Sequence, residues 1–316
     1  MPKFAFALVA GLVSLLPAGA QPKAAQKPAP RAGVEITSDT PIVLDVTRVN
    51  ILFTVSDKKG RFVSNLVKDD FEIFEAKKPQ NILEFNAESD LPLRIAVLLD
   101  TSNSIRERFR FIQEAALEFL RSTIRPRTDK ALVVGFDTSA QLVADLTDEM
   151  PKLEKSIREM RAGGGTALFD ALYFACRDKI TLDQPRHKFR RAIIIISDGD
   201  DTQSRYTREQ ALEMVQKSDA VVYTISTNIT RVETDGDKIL RYLAKETGGQ
   251  AFFPFKVEDL SQSFTNIANE LRSQYNLFFR PEPLRTDGLY HQVDVRVKNR
   301  KDVVVRARKG YYAPNM

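Results

Sequence analysis

The sequence predicts an α/β fold: a doubly wound, mostly parallel sheet inserted in a small β-sandwich formed by both chain ends. Three observations carry this reading. Ile95–Leu99 and Ala192–Ile196 are continuous apolar runs without alternation, the pattern of strands buried on both faces. Between Leu93 and about Arg272 such strands alternate with stretches whose apolar residues recur at helical spacing, which implies strand–helix–strand units. On both sides of that region, from Val43 to about Phe85 and after Tyr275, the period falls to 2, as in half-buried antiparallel strands.

Residues 1–20 read as an export signal: Lys3 supplies charge, Phe4–Leu16 an apolar core, and Ala18-Gly19-Ala20 a cleavage site. The apolar run is too short for a comfortable membrane span, and no Cys follows it to take a lipid. No later segment is apolar enough to span, so the mature chain is expected to be exported, whether periplasmic, cell-surface or secreted. Residues 21–33, rich in Ala, Pro, Lys and Gln, are expected to be a disordered tether.

Residues 34–90 form the first part of the β domain. Val49, Ile51, Phe53 and Val55 share one strand face, and Asp57-Lys58-Lys59-Gly60 is a turn. Phe71–Glu75 and Ile82–Phe85 are expected to be two short strands around a turn at Lys77-Lys78-Pro79. This is too little chain to bury a full core alone.

Residues 91–273 form the α/β domain. Strand 94–99 leads into helix 104–124, whose Ile105, Phe109, Ile112, Ala116, Phe119 and Leu120 fall on one face. A hairpin of strands 131–136 and 140–145 and helix 151–161 follow. Three glycines and Thr166 then open helix 167–179. Strand 191–197, helix 207–218, strand 220–226, helix 236–247, strand 250–254 and helix 257–273 complete the series. Residues 274–316 return to period 2, with strands at Tyr275–Phe279, through Val293, Val295 and Val297, and through Val303, Val305 and Ala307. The lone cysteine, Cys176, lies among Ala171, Leu172 and Ala175 on a helix and reads as a buried, inert thiol.

Side chains that can carry chemistry collect where the apolar strands end. Asp100, Ser102 and Ser104 alternate directly after the first run, and Asp198 ends the second. Ligands of open α/β sheets bind at that place, beyond the carboxyl ends of the strands. Thr166, after Gly163-Gly164-Gly165, enters a helix of the same region. Each piece alone has a structural reading, as helix cap, flexible loop or turn. The pieces together, in order and two of them on the most apolar strands, point to one site.

The set D-x-S-x-S at 100–104, T at 166 and D at 198 resembles the metal-ion-dependent adhesion site (MIDAS) of von Willebrand factor A domains. GGGTALFDAL at 163–172 and IIIISDGDD at 193–201 are similar to that family's wording, and the resemblance covers roughly 90–275. The flanks KDDFEIFE at 68–75 and ARKGYYAP at 307–314 resemble a bacterial exported subfamily of these proteins. The resemblance implies that Asp100, Ser102, Ser104, Thr166 and Asp198 hold a divalent cation, partly through waters, and that an open position accepts a Glu or Asp side chain from a protein partner. Hydroxyls and carboxylates suit a hard cation. So few carboxylates favour Mg²⁺ or Mn²⁺, with Ca²⁺ the alternative. The family pattern does not require Asp170, Asp200 and Asp201. Asp170 reads as loop or helix support and the other two as solvated acid.

Other function classes fit less well. The net charge is +5, with 47 basic and 42 acidic residues spread along the chain, so no nucleic-acid partner is expected. The two histidines, His187 and His291, fall in different domains, and H-E-x-x-H and G-x-S-x-G are absent. GGGT lacks the lysine of a phosphate-binding loop. Asp100-Thr101-Ser102 loosely resembles an aspartyl phosphotransferase loop, but Ser102 stands where that chemistry needs a second Asp. The sequence thus predicts a binding or adhesion protein and not an enzyme. A scaffold or assembly factor with a structural metal is the alternative, and a metal-dependent phosphoester hydrolase a minor one.

Overall fold

A computed structural model describes residues 48–87, 91–184, 188–230, 232–254, 256 and 259–315. The expected signal at 1–20, the tether at 21–33 and the first residues of the β domain lie outside the described residues.

The central sheet has six strands. Its middle is β5 (Leu93–Asp100), flanked by β6 (Lys130–Phe136) and β8 (Arg190–Ser197). Beyond β8 lie β9 (Ala220–Ser226) and β10 (Ala251–Phe252); beyond β6 lies β7 (Ala140–Thr147). All pairs are parallel except the β6–β7 hairpin at one edge. Every residue of β5 and β8 is buried, which explains why these two strands read as unbroken apolar runs.

The two faces of the sheet separate the core. Leu93, Ile95, Val97 and Leu99 pack against α1 (Phe109–Thr123), α2 (Met150–Glu159) and α6 (Asp259–Arg272). Ala96 and Leu98 face α3 (Leu168–Asp178), α4 (Arg208–Lys217) and α5 (Asp235–Thr247). Cys176 is buried in this second layer, and burial pushes its thiol up to about 12.

Two further sheets are antiparallel, and each takes strands from both ends of the chain. In one, β1 (Val49–Asp57) and β11 (Tyr275–Phe279) lie between β13 (Val303–Ala307) and β4 (Ile82–Asn86). In the other, β12 (Tyr290–Val297) and β2 (Phe71–Glu75) lie between β14 (Gly310–Tyr312) and β3 (Lys78–Gln80). Side chains of both sheets share one apolar core, with Ile51, Phe53, Tyr275 and Leu277 from the first and Phe71, Ile73, Val293 and Val295 from the second. Phe53, Phe71, Phe85 and Tyr275 form a connected aromatic cluster there.

Three local expectations are corrected. The turn after β2 falls on Ala76 and Lys77, whose φ values of +47° and +68° suit a tight hairpin turn. Lys78 and Pro79 already belong to β3. The partner of β2 is therefore β3, while the 82–86 strand crosses to the other sheet and pairs with β11. Helix α1 begins at Phe109 and not near Ser104. Ser102 is extended and Asn103–Ile105 makes only a single 3-10 turn. The Ser102 and Ser104 hydroxyls bond to each other, and Ser104 to Asp198 of the loop after β8, which holds this segment in the site instead of in α1.

A buried carboxylate closes the opposite end of the sheet from those serines. Asp129 is fully buried and accepts from Leu93 N at 2.8 Å, Arg125 N at 2.9 Å and Arg272 Nη2 at 2.5 Å. Burial pushes its carboxyl up, but the bonds from Leu93, Arg272 and Arg125 outweigh this and hold it below the usual 3.8. A lowered native value stabilises the fold above the unfolded value, and that stability is lost as pH falls below 3.8. Asp129→Ala is expected to cost about 3–5 kcal/mol at pH 7, because it strands the Arg272 charge and the Leu93 amide. Chemical denaturation should show this loss, and the gap from the parent should narrow below pH 3.8. A variant as stable as the parent at pH 7 would rule the anchoring role out.

Candidate metal centre

Strands β5 and β8 are parallel neighbours, with Leu99 opposite Ile196. Their carboxyl ends therefore deliver Asp100 and Asp198 to the same edge of the sheet. Asp100 is fully buried. Its Oδ1 accepts from Ser102 N at 2.8 Å, and its Oδ2 accepts from Ser197 Oγ at 2.6 Å. Ser102 Oγ and Ser104 Oγ lie 2.9 Å apart, and Ser104 Oγ donates to Asp198 Oδ2 at 2.6 Å. Ser102, Ser104 and Asp198 thus form one continuous line of oxygens, with Asp100 bonded to the backbone of the same loop.

Thr166 arrives from a third element. Its loop is clamped to the 101–103 segment by Gly163 N donating to Thr101 O at 2.6 Å and Asn103 N to Gly164 O at 3.3 Å. The buried Thr166 is tied in turn to the loop after β8: its carbonyl accepts from Thr202 N and Gln203 N, both at 2.9 Å, and its amide donates to Thr202 Oγ1 at 3.1 Å. The structure brings the three loops together. It links Asp100, Ser102, Ser104 and Asp198 by direct hydrogen bonds, and Thr166 to them by backbone. Gly164 has φ +90° and sits where a Cβ would press on the Thr138 hydroxyl at 2.9 Å, so glycine is needed there.

Electrostatics mark the same place. Burial pushes the Asp100 carboxyl up to about 6; hydrogen bonds from Ser197 and Ser102 oppose this, and the Asp198 charge adds to it. Two carboxylates with hydroxyl oxygens between them are a donor set for a hard cation. Among the described residues no group of three or more His, Cys, Asp or Glu is placed to hold a metal, and three of the five donors here are hydroxyls.

The supporting residues were partly legible. Asp170 Oδ1 accepts from Arg205 N at 2.8 Å and Tyr206 N at 3.0 Å, the loop support expected of it. Asp200 is exposed. Asp201 is not simply solvated acid: its Oδ2 accepts from Phe169 N at 3.0 Å and Ser204 Oγ at 2.5 Å, which caps the start of α3. Ser197, which holds Asp100, was missed. The signal available was its place directly before Asp198, one residue beyond the apolar run.

The family model for the von Willebrand factor type A domain matches residues 95–270. Similar solved structures include the PilB minor pilin of Streptococcus sanguinis, at 14% identity and TM-score 0.47 over 58% of this chain and 62% of that one. Proximal thread matrix protein 1 from the mussel byssus, with a zinc-occupied MIDAS motif, matches at 17% identity and TM-score 0.49 over 61% and 48%. BatB from Bacteroides thetaiotaomicron matches at 16% and 0.44 over 57% and 100%. The chain spans less than two thirds of the pilin and about half of the byssus protein. No curated protein sequence matches it. The family match covers more than half of the 316 residues and includes both central strands and all three loops of the site: this chain belongs to the von Willebrand factor type A domain family.

Proposed function

We propose that this chain is an exported binding protein, not an enzyme, and that its A-type domain captures an acidic group on a protein partner through a divalent cation. Asp100, Ser102, Ser104, Thr166 and Asp198 hold the ion. The observation that carries this reading is the continuous line from Ser102 through Ser104 to Asp198 beside the buried Asp100. A bound cation there supplies a Lewis-acidic position open to a Glu or Asp side chain. The protein's own part is to aim oxygens. Ser197 and the Ser102 amide fix Asp100, and the hydroxyls of Ser102 and Ser104 add ligands without adding negative charge. Mg²⁺ or Mn²⁺ suits two carboxylates and three hydroxyls better than Ca²⁺, which favours a cage of more oxygens.

The scaffold alternative, with a mainly structural metal, is less favoured by the hydrogen bonds themselves. The 101–103, 163–166 and 202–203 segments are already joined by backbone bonds that need no ion. A metal-dependent hydrolase is the minor alternative: the histidine of the β part, His291, bonds to Asp287 there. No helix among the described residues is long and apolar enough to cross a membrane. Export rests on the segment 1–20, and the periplasm, the cell surface and the medium are all compatible with it.

Capture from a native envelope extract tests the reading. The immobilised full chain is expected to retain a partner in Mg²⁺ and release it in EDTA. Asp100→Ala is expected to capture nothing while remaining folded. Capture that survives both EDTA and Asp100→Ala would overturn the proposal.

A further inference from the structure

The loop that carries Asp198 rests on the first turn of α5, backbone against backbone. Gly199 has φ +82°, and a Cβ built on it would fall 2.3 Å from the Gly236 carbonyl oxygen. Conversely, a Cβ on Gly236 would fall 2.2 Å from the Asp198 carbonyl oxygen and 2.9 Å from the Asp200 nitrogen. The atoms met are backbone, so neither contact can be relieved by turning a side chain aside. Gly199 also needs its left-handed conformation. Gly236 has no such need. It stands two residues past the Thr234 cap, inside α5, where alanine is the better helix former. What glycine provides at 236 is room for the Asp198 peptide.

That turn of α5 is itself anchored. Asp237, nearly fully buried, accepts from Ser226 Oγ at 2.6 Å, Asn228 Nδ2 at 2.7 Å and Thr234 N at 3.0 Å. Ser226 ends β9 and lies opposite Ser197 in the sheet. Thr227 N donates to Ser197 O at 3.0 Å. The end of β9 thus fixes Asp237, Asp237 fixes the first turn of α5, and that turn bounds the Asp198 loop. Asp198 meets the rest of the site through one short bond, from Ser104 Oγ at 2.6 Å. Ligand distances in metal sites hold to within about 0.2 Å, so a displacement of a few tenths of an ångström at 198 is enough to weaken the hold on an ion.

We infer that the Gly236–Asp237 turn is a positioning element of the metal centre, setting where Asp198 stands relative to Asp100, Ser102 and Ser104. This rests on the metal-binding reading above. Neither residue is among the five that would hold the ion, and both act on it through the 198–200 segment.

Calorimetric titration of the full chain with Mn²⁺ tests this, with circular dichroism of each metal-free variant to establish that it is folded. Gly236→Ala is expected to weaken Mn²⁺ affinity by about 10- to 100-fold, the scale on which supporting contacts act on metal sites. Lys245→Ala is the control: it is exposed in the last turn of the same helix, far along α5 from Gly236, and should bind as the parent does. Where Gly236→Ala does not fold, Asp237→Asn, which keeps the volume but loosens the anchor, takes its place, with about tenfold weaker binding expected. A folded Gly236→Ala, or failing that a folded Asp237→Asn, with parental Mn²⁺ affinity overturns this inference alone. A parent chain that takes up no Mn²⁺ overturns the metal-binding reading and this inference with it.

Discussion

A chain ending at Arg272 is expected to lose the structure of its β part and to aggregate. The truncation removes the edge strands β13 and β14 and, with them, the interior strands β11 and β12. β11 lies between β1 and β4, and β12 lies between β14 and β2. Without them β1 loses both neighbours, β4 loses its partner, and β2 keeps only the three-residue β3. Ile51, Phe53, Val55, Phe71 and Ile73, now buried in the shared core, would face water. At about 2 kcal/mol for each such side chain, the loss is roughly 10 kcal/mol, comparable with the whole net stability of a domain. Unpaired strand edges beside exposed apolar surface then template association.

The α/β part should behave differently. A fragment of residues 91–273 keeps all six strands and helices of the central sheet. It loses the Arg306 partner of the buried Glu270, at 2.6 Å, but Glu270 would then face solvent and need none. Size-exclusion chromatography and circular dichroism of the two products decide the matter. Expected are a soluble, helical monomer for 91–273 and aggregated material for the chain ending at 272. A soluble monomer of the longer product with its strand content intact would show that the two ends do not depend on each other.

The elements legible in the sequence are those whose burial is uniform or strictly periodic. β5 and β8 are buried at every position, so their apolar runs carry no ambiguity. β12 alternates cleanly, and β1 shows in the alternation of Val49, Ile51, Phe53 and Val55 although Thr54 and Ser56 between and after them are buried too. β3 and β14, three residues each, are too short for any period to show. Proximity in sequence suggests a hairpin between the 82–86 strand and β2, whereas β2 pairs with β3. The pairing of the 82–86 strand with β11 joins residues 190 or more positions apart, Asn86 with Asn276 for example, and leaves no local mark. At the site, Asp100, Ser102, Ser104 and Asp198 were found together because side chains with ligating oxygens interrupt apolar strands there. The roles of Ser197, Asp201 and the Gly199–Gly236 contact depend on which loops touch, and composition does not report that. The start of α1 was placed five residues early for a related reason: Ile105 and Phe109 do keep helical spacing, but Ser102 and Ser104 direct their hydroxyls into the site.

The response of thermal stability to divalent cations tests the metal centre most directly. A ligand that binds only the native state stabilises it by mass action, by about 2.7 kcal/mol at a hundred times its dissociation constant. For a folding unit the size of the α/β domain that corresponds to a rise of roughly 5–10 °C in Tm. Mg²⁺ or Mn²⁺ is expected to produce such a rise in the parent. Asp100→Ala should abolish most of it, because it removes a carboxylate that Ser197 and the Ser102 amide hold at the end of β5. Thr166→Ala should remove much of it as well, although Thr166 lies on a different loop and its backbone bonds to Thr202 and Gln203 would remain. Parallel loss in two variants from separate loops is the result expected of one shared ion. A rise in Tm that is the same in the parent, Asp100→Ala and Thr166→Ala would contradict the assignment of the metal centre to these residues.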